Sequence, residues 1–197
     1  MPLEFDEETI VTSTPVKGND NKYFVAIKKQ NGDLPEQVYF QLNNVKCEKN
    51  EDKTMEARLD NLVYIDFIKE IEQKILILTQ NNAQEWFGKE FSESYFENAK
   101  MSALKDVPKS KMAIFKTLKC PNFQVFNTEK EIIEDGEITK GTIFNAIVEV
   151  QGIWFSKTRF GVTYKLKQAK VKHETKIQNC LFNDDDDELD NVYPFED

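Results

Sequence analysis

Between Gly152 and Lys172 the chain reads GIWFSKTRFGVTYKLKQAKVK. Two kinds of side chain alternate through it: the flat rings Trp154, Phe155, Phe160 and Tyr164, and the cations Lys157, Arg159, Lys165, Lys167, Lys170 and Lys172. An unpaired nucleic-acid strand needs both at once, rings on which its bases stack and charges along the path of its phosphates. Lys116 and Lys119 on a neighbouring strand, and Lys28 and Lys29 on an earlier one, extend the basic set. The competing reading is an ordinary exposed hairpin, its aromatics spent on the core and its lysines on solubility and on blocking edge pairing. Side-chain alternation sorts the residues further. Val162, Tyr164, Leu166 and Gln168 share one face of a strand, while Thr163, Lys165, Lys167 and Ala169 share the other, which assigns Tyr164 to the core. Trp154 and Phe155 point to opposite faces, and the turn residues Arg159 and Phe160 are expected to be exposed.

A second run has the opposite sign. Asp184, Asp185, Asp186, Asp187, Glu188, Asp190, Glu196 and Asp197 include every charge from Asp184 to the end, with Tyr193, Pro194 and Phe195 among them. A run so polar builds no core and is expected to be a solvated tail. It also accounts for most of the net charge of -9: with its eight acids set aside, 26 bases face 27 acids. A polyanion tethered to a basic groove is held there at high effective concentration, on the order of millimolar. The tail is therefore expected to occupy the groove until nucleic acid displaces it, freeing Tyr193 and Phe195 for a protein partner.

Nothing comparable points to catalysis. His173 is the one histidine and sits among lysines, and the phosphate-binding, nucleophile-elbow and zinc-protease motifs are absent. The aspartate run lacks the glycine turn and terminal glutamate of a calcium loop. Cys47, Cys120 and Cys180 are widely spaced and show no ligand spacing. The expectation is a non-enzyme without metal or cofactor, with reduced thiols. The chain shows no apolar run of membrane-spanning length and no signal-peptide pattern, so an intracellular protein is expected.

The elements that hold these residues follow from periodicity. Residues 1–21 read as a flexible arm. KYFVAIKK (22–29), closed by an Asn-Gly turn signal, is expected to pair with VYFQLNNVKC (38–47). Leu62, Ile65, Ile68, Ile71, Ile75 and Leu78 recur at helical spacing, and FSESYFENAKMSAL reads as a second helix with Ser92 as its N-cap and Pro108 as its limit. Strands return in KMAIFKTLKC and NFQVFN, then in the long hairpin. About six strands with helices inserted over roughly 60–104 fit a mainly β or α+β domain over 22–181, ahead of a tail at 182–197. A five- to six-stranded oligonucleotide-binding (OB) barrel is the simplest such architecture, with an open α+β sandwich beside it.

GIWFSKTRFGVTYKLKQAKV at 152–171, EWFGKEF at 85–91 and the acidic, aromatic C-terminus resemble the single-stranded-DNA-binding proteins of large nucleocytoplasmic DNA viruses. These are distantly similar to the acidic-tailed binding protein of T-odd phages. The resemblance implies an OB fold with helical insertion and sequence-independent binding of exposed strands in replication, recombination and repair. It also implies a tail that contacts replication proteins such as a DNA polymerase, helicase or primase, in the host cytoplasm or nucleus. Carried over, it places Trp154, Phe155, Lys157, Arg159 and Phe160 in the DNA-facing hairpin. The phage relatives are dimers, so a homodimer is an expectation. EWFGKEF offers no stacking role by this reading, and Trp86 and Phe87 are assigned to the core or a subunit contact. The phage tail ends on its aromatic residue, whereas here Phe195 is followed by Glu196 and Asp197. A protein-protein adaptor acting through the tail and an RNA-binding module remain the alternatives.

Overall fold

The computed structural model describes residues 5–18 and 21–172. His173, Cys180 and the tail residues Asp184 to Asp197 lie outside the described residues. In chain order the strands are β1 (Ile10–Thr12), β2 (Val16–Lys17), β3 (Tyr23–Asn31), β4 (Leu34–Glu36), β5 (Val38–Asn50) and β6 (Thr54–Leu59). Helices α1 (Leu62–Phe87) and α2 (Glu93–Ala99) follow. The chain then returns to strand in β7 (Lys100–Met101), β8 (Leu104–Asp106), β9 (Ala113–Phe126), β10 (Ile132–Ile133), β11 (Ile143–Phe155) and β12 (Phe160–Val171).

Five of these close a barrel. β5 pairs with β6, β6 with β9, and β11 with both β12 and β5, all antiparallel, while β9 and β12 run parallel. The third barrel strand thus meets the fifth and the fourth returns to the first, the connectivity of an OB barrel. The alternation foreseen in the hairpin is what fills it. Tyr164 points inward and packs edge-on against Phe115 at 5.0 Å and Phe40 at 6.2 Å. Phe40 and Phe115, almost fully removed from water, each contribute roughly 1.5–3 kcal/mol.

Helix α1 is inserted between the second and third barrel strands. Asn61 caps its start by accepting the Val63 N–H, and Gly88, at φ 63°, ends it in the left-handed region that glycine adopts without a Cβ penalty. Ile65, Ile68, Ile71 and Ile75 of the apolar stripe are buried, whereas Leu62, in the first turn, is exposed. Ser92 caps α2 through the Tyr95 N–H, as expected, but α2 stops at Ala99 because Lys100 and Met101 pair with β12.

The structure differs from the sequence reading in several pairings. β3 does not pair with β5: it turns through Gly32 onto the short β4, and its residues Tyr23 to Ala26 pair with β11. β6 is a strand that the sequence reading did not foresee, although Met55, Ala57 and Leu59 alternate inward with period two. KMAIFKTLKC and NFQVFN form one strand, β9, whose register against β12 jumps between Lys119 and Gln124 around Pro121, a residue with no N–H to give a ladder. The stretch read as a flexible arm is partly ordered: β1 and β2 pair with β3, and Phe5 is buried.

Candidate nucleic-acid interface

The hairpin β11–β12 turns through Ser156 to Arg159, where the Ser156 N–H donates to the Arg159 carbonyl and the Arg159 N–H to the Ser156 hydroxyl. This ties the loop down and leaves the Lys157 and Arg159 side chains exposed. Beside it opens a groove of about 570 Å³, lined by Tyr23, Trp86, Phe87, Phe91, Tyr95, Phe96, Phe155 and Phe160 together with Lys89, Lys157 and Arg159. Eight rings and three cations converge, and among the described residues no acid lines the groove. None of the three cations has an ion-pair partner among the described residues.

The rings fall into a floor and a rim. Phe155, Phe160 and Phe96 are 8%, 3% and 5% exposed, with Phe155 stacked on Phe160 at 5.8 Å and Phe96 edge-on to Phe160 at 6.0 Å. Above them stand Tyr23 and Tyr95, 36% and 37% exposed, and the half-buried Trp86, Phe87 and Phe91. Contacts lock the rim to the floor: Phe87 lies 5.1 Å from Phe155, Trp86 6.1 Å from Phe155, and Phe91 and Tyr95 each 5.6 Å from Phe96. Rim rings held this way present their faces without losing rotamer freedom when a ligand arrives.

Phe155 and Phe160 therefore are not exposed stacking surfaces, contrary to the expectation for Phe160. They are the packed floor, because the inward face of each strand continues to the hairpin's tip. The accessible rings come instead from EWFGKEF and α2. Gly88 terminates α1 so that Trp86 and Phe87 sit at the mouth of the groove, and Lys89 and Phe91 follow on the crossing segment. Trp86 and Phe87 thus line the groove instead of serving only as core. A signal was present in the sequence: three aromatics within seven residues of a glycine-terminated helix, beside a lysine.

On the other side of the hairpin, Trp154 points away from Phe155, as parity requires. Its indole lies over Gly161, where an added Cβ would stand 3.1 Å from the ring and 2.7 Å from the Met101 carbonyl. Glycine thus lets the indole lie flat and β7 pair closely. Trp154 borders a second cleft of about 480 Å³ with Met101, Leu104, Lys105, Lys116 and Leu118.

The remaining predicted cations are less free. Lys167 lies 3.6 Å from Glu149, a carboxylate 6% exposed, and Lys116 lies 3.9 Å from Glu56. Lys119 pairs with Asp135, has a side chain only 6% exposed and lies over the Phe123 ring. Lys165 has no ion-pair partner among the described residues and projects from the outer face of β12. The predicted cations thus divide: Lys157 and Arg159 join the groove, Lys116 the second cleft, and Lys119 and Lys167 are held in pairs. No group of His, Cys, Asp and Glu among the described residues is arranged to hold a metal ion.

Comparison with solved structures finds similarity to phage proteins. The single-stranded DNA-binding protein from bacteriophage Enc34, in complex with ssDNA, aligns at 16% identity over 82% of this chain and 95% of that one, with a TM-score of 0.47. A C-terminally truncated form of the same protein gives 16% identity over 85% and 96%, TM-score 0.48. The single-stranded DNA-binding protein gp2.5 of bacteriophage T7 gives 12% over 81% and 100%, TM-score 0.49. Likeness at this level leaves the function to be read from the groove itself. No curated protein matches the sequence. A family model described as a family of unknown function, DUF5871, matches residues 43–184, and the chain belongs to that family.

Proposed function

We propose that this protein binds single-stranded DNA without sequence preference, with the groove at the hairpin tip as its stacking site and no catalytic role. The observation that carries the reading is the convergence, on one concave surface, of accessible rings with three cations that have no ion-pair partner among the described residues, none of which adds an acid to the groove's lining. Every base has a π face, so rings accept any sequence, and point charges follow the phosphates without reading base edges. Paired bases are already stacked on one another, so the same groove disfavours duplexes. The fold agrees: in OB barrels the loop between the fourth and fifth strands contributes to oligonucleotide binding, and here that loop carries Lys157 and Arg159.

Around this site the sequence supplies the rest of the reading. The acidic run from Asp184 shields the groove and, once displaced, presents Tyr193 and Phe195 to replication proteins such as a polymerase, helicase or primase. The setting is replication, recombination and repair of a viral genome in the host cytoplasm or nucleus, and the resemblance to dimeric phage proteins motivates a homodimer. The test is a fluorescence-anisotropy titration of labelled single- and double-stranded oligonucleotides at two salt concentrations, with the full chain and with a chain ending at Asn183. Salt-sensitive preference for single strands, tighter without the tail, is expected. Absence of binding by either chain would remove the reading and favour the adaptor, and a clear preference for RNA of the same sequence would favour an RNA-binding module.

A further inference from the structure

The protein has two tryptophans, and the fold sets them on opposite sides of one hairpin: Trp86 in the tip groove and Trp154 in the second cleft. We infer that the two clefts are successive subsites of one binding path, and that a bound strand bends around the loop 156–159 to reach both. This inference rests on the proposed binding of single-stranded DNA.

Three observations support it. The second cleft lies on the outer face of β6 and β9, through Glu56, Lys116 and Leu118, the second and third strands of the barrel. That is the face OB barrels use for oligonucleotides. It has the two elements a stacking subsite needs: the half-buried indole of Trp154 with the exposed Leu118 beside it, and Lys105, which has no ion-pair partner among the described residues. The junction between the clefts is cationic, because Lys157 and Arg159 stand on the loop that a strand must round.

The geometry also explains the bend. Trp154 and Phe155 are adjacent in β11, so the two subsites are one residue apart along the chain but face opposite ways. A straight strand reaches one of them. Phosphates turning at the tip crowd together, and the cations Lys157 and Arg159 at that point offset their repulsion.

The two tryptophans provide the reporters. In the full-length chain, Trp154→Phe leaves Trp86 as the sole indole, and Trp86→Phe leaves Trp154. Each is titrated with oligo-dT of increasing length, anisotropy being recorded on the same samples. One continuous path predicts that short oligomers of about four nucleotides quench the Trp86 indole alone, while oligomers of about 10 to 16 quench both at the same midpoint. It also predicts that Trp154→Ala weakens binding of the long oligomers by roughly 5- to 150-fold and leaves the short ones unaffected. If long oligomers bind and quench Trp86 while Trp154 emission and the Trp154→Ala affinity stay unchanged, the path is overturned and the groove alone is the site. Saturation of the two indoles at different midpoints would mean separate sites and would also overturn it. If anisotropy shows no binding at any length, the proposed function itself fails and takes this inference with it.

Discussion

The two ends of the β11–β12 hairpin are built from the same residue types and do different work. Along its length the charge is partly answered by carboxylates: Lys167 faces Glu149, although Lys165 has no ion-pair partner among the described residues, and on the neighbouring β9, Lys119 is tied to Asp135 and Lys116 stands near Glu56. At its tip Lys157 and Arg159 have no such partner among the described residues and are joined by Lys89 from the far end of α1. The aromatics divide in the same way. Tyr164 is sealed in the barrel, where burial pushes its phenol well above the usual tyrosine range, while at the tip a buried floor carries an accessible rim. A basic, aromatic sequence is thus a site only where its charges are left unbalanced and its rings have a wet face.

Phe160→Ala tests the floor and should have the largest effect, about 3–5 kcal/mol of folding stability through the cavity it leaves, measured by urea unfolding. Trp86→Ala tests the rim. It should cost about 1–3 kcal/mol in affinity for single strands, read by anisotropy, with a much smaller change in the unfolding midpoint. If the two substitutions moved stability alike, the division into floor and rim would be wrong.

The contrast in charge has its own signature. Lys157→Ala and Arg159→Ala should each lower the slope of log affinity against log salt by about 0.7, the share of one single-strand phosphate contact. Lys167→Ala should leave that slope nearly unchanged, since its charge is already engaged by Glu149.

The smallest effect concerns Glu72, which is buried on α1 and accepts the Ala103 N–H at 2.8 Å. Burial raises its carboxyl above the ordinary value of 4.5, so the folded state favours the neutral acid. Its contribution to stability is therefore complete below about 4.5 and is lost as pH rises through the raised value. Glu72→Gln, which keeps the accepting oxygen, should unfold at a slightly higher temperature than the native chain at about pH 8 and at nearly the same temperature at about pH 4.

How far the sequence revealed this comparison depends on the range of the interactions involved. The barrel hairpin, the helical stripe on α1 and the Ser92 cap are local patterns, and each appears where periodicity places it. The parity of Trp154, Phe155 and Tyr164 was also legible, because alternation is a property of the strand alone. What stayed hidden is non-local. Which lysines meet carboxylates depends on cross-strand register, and Glu149 is eighteen residues from Lys167 in sequence. The exposure expected of Phe160 failed because α2 folds back and sets Phe96 against it. The rim itself, from Trp86 to Tyr95, joins the hairpin only through the closure of the barrel, so EWFGKEF read as packing.

The measurement that bears most directly on the central claim is the affinity of the full-length chain for a labelled oligo-dT, compared with a Trp86→Ala/Arg159→Ala double variant of unchanged unfolding midpoint. The account predicts salt-sensitive binding by the native chain and a loss of roughly 100-fold or more in the variant, from one stacking ring and one phosphate cation. Equal affinity of the two chains would contradict it and move the site away from the hairpin's tip.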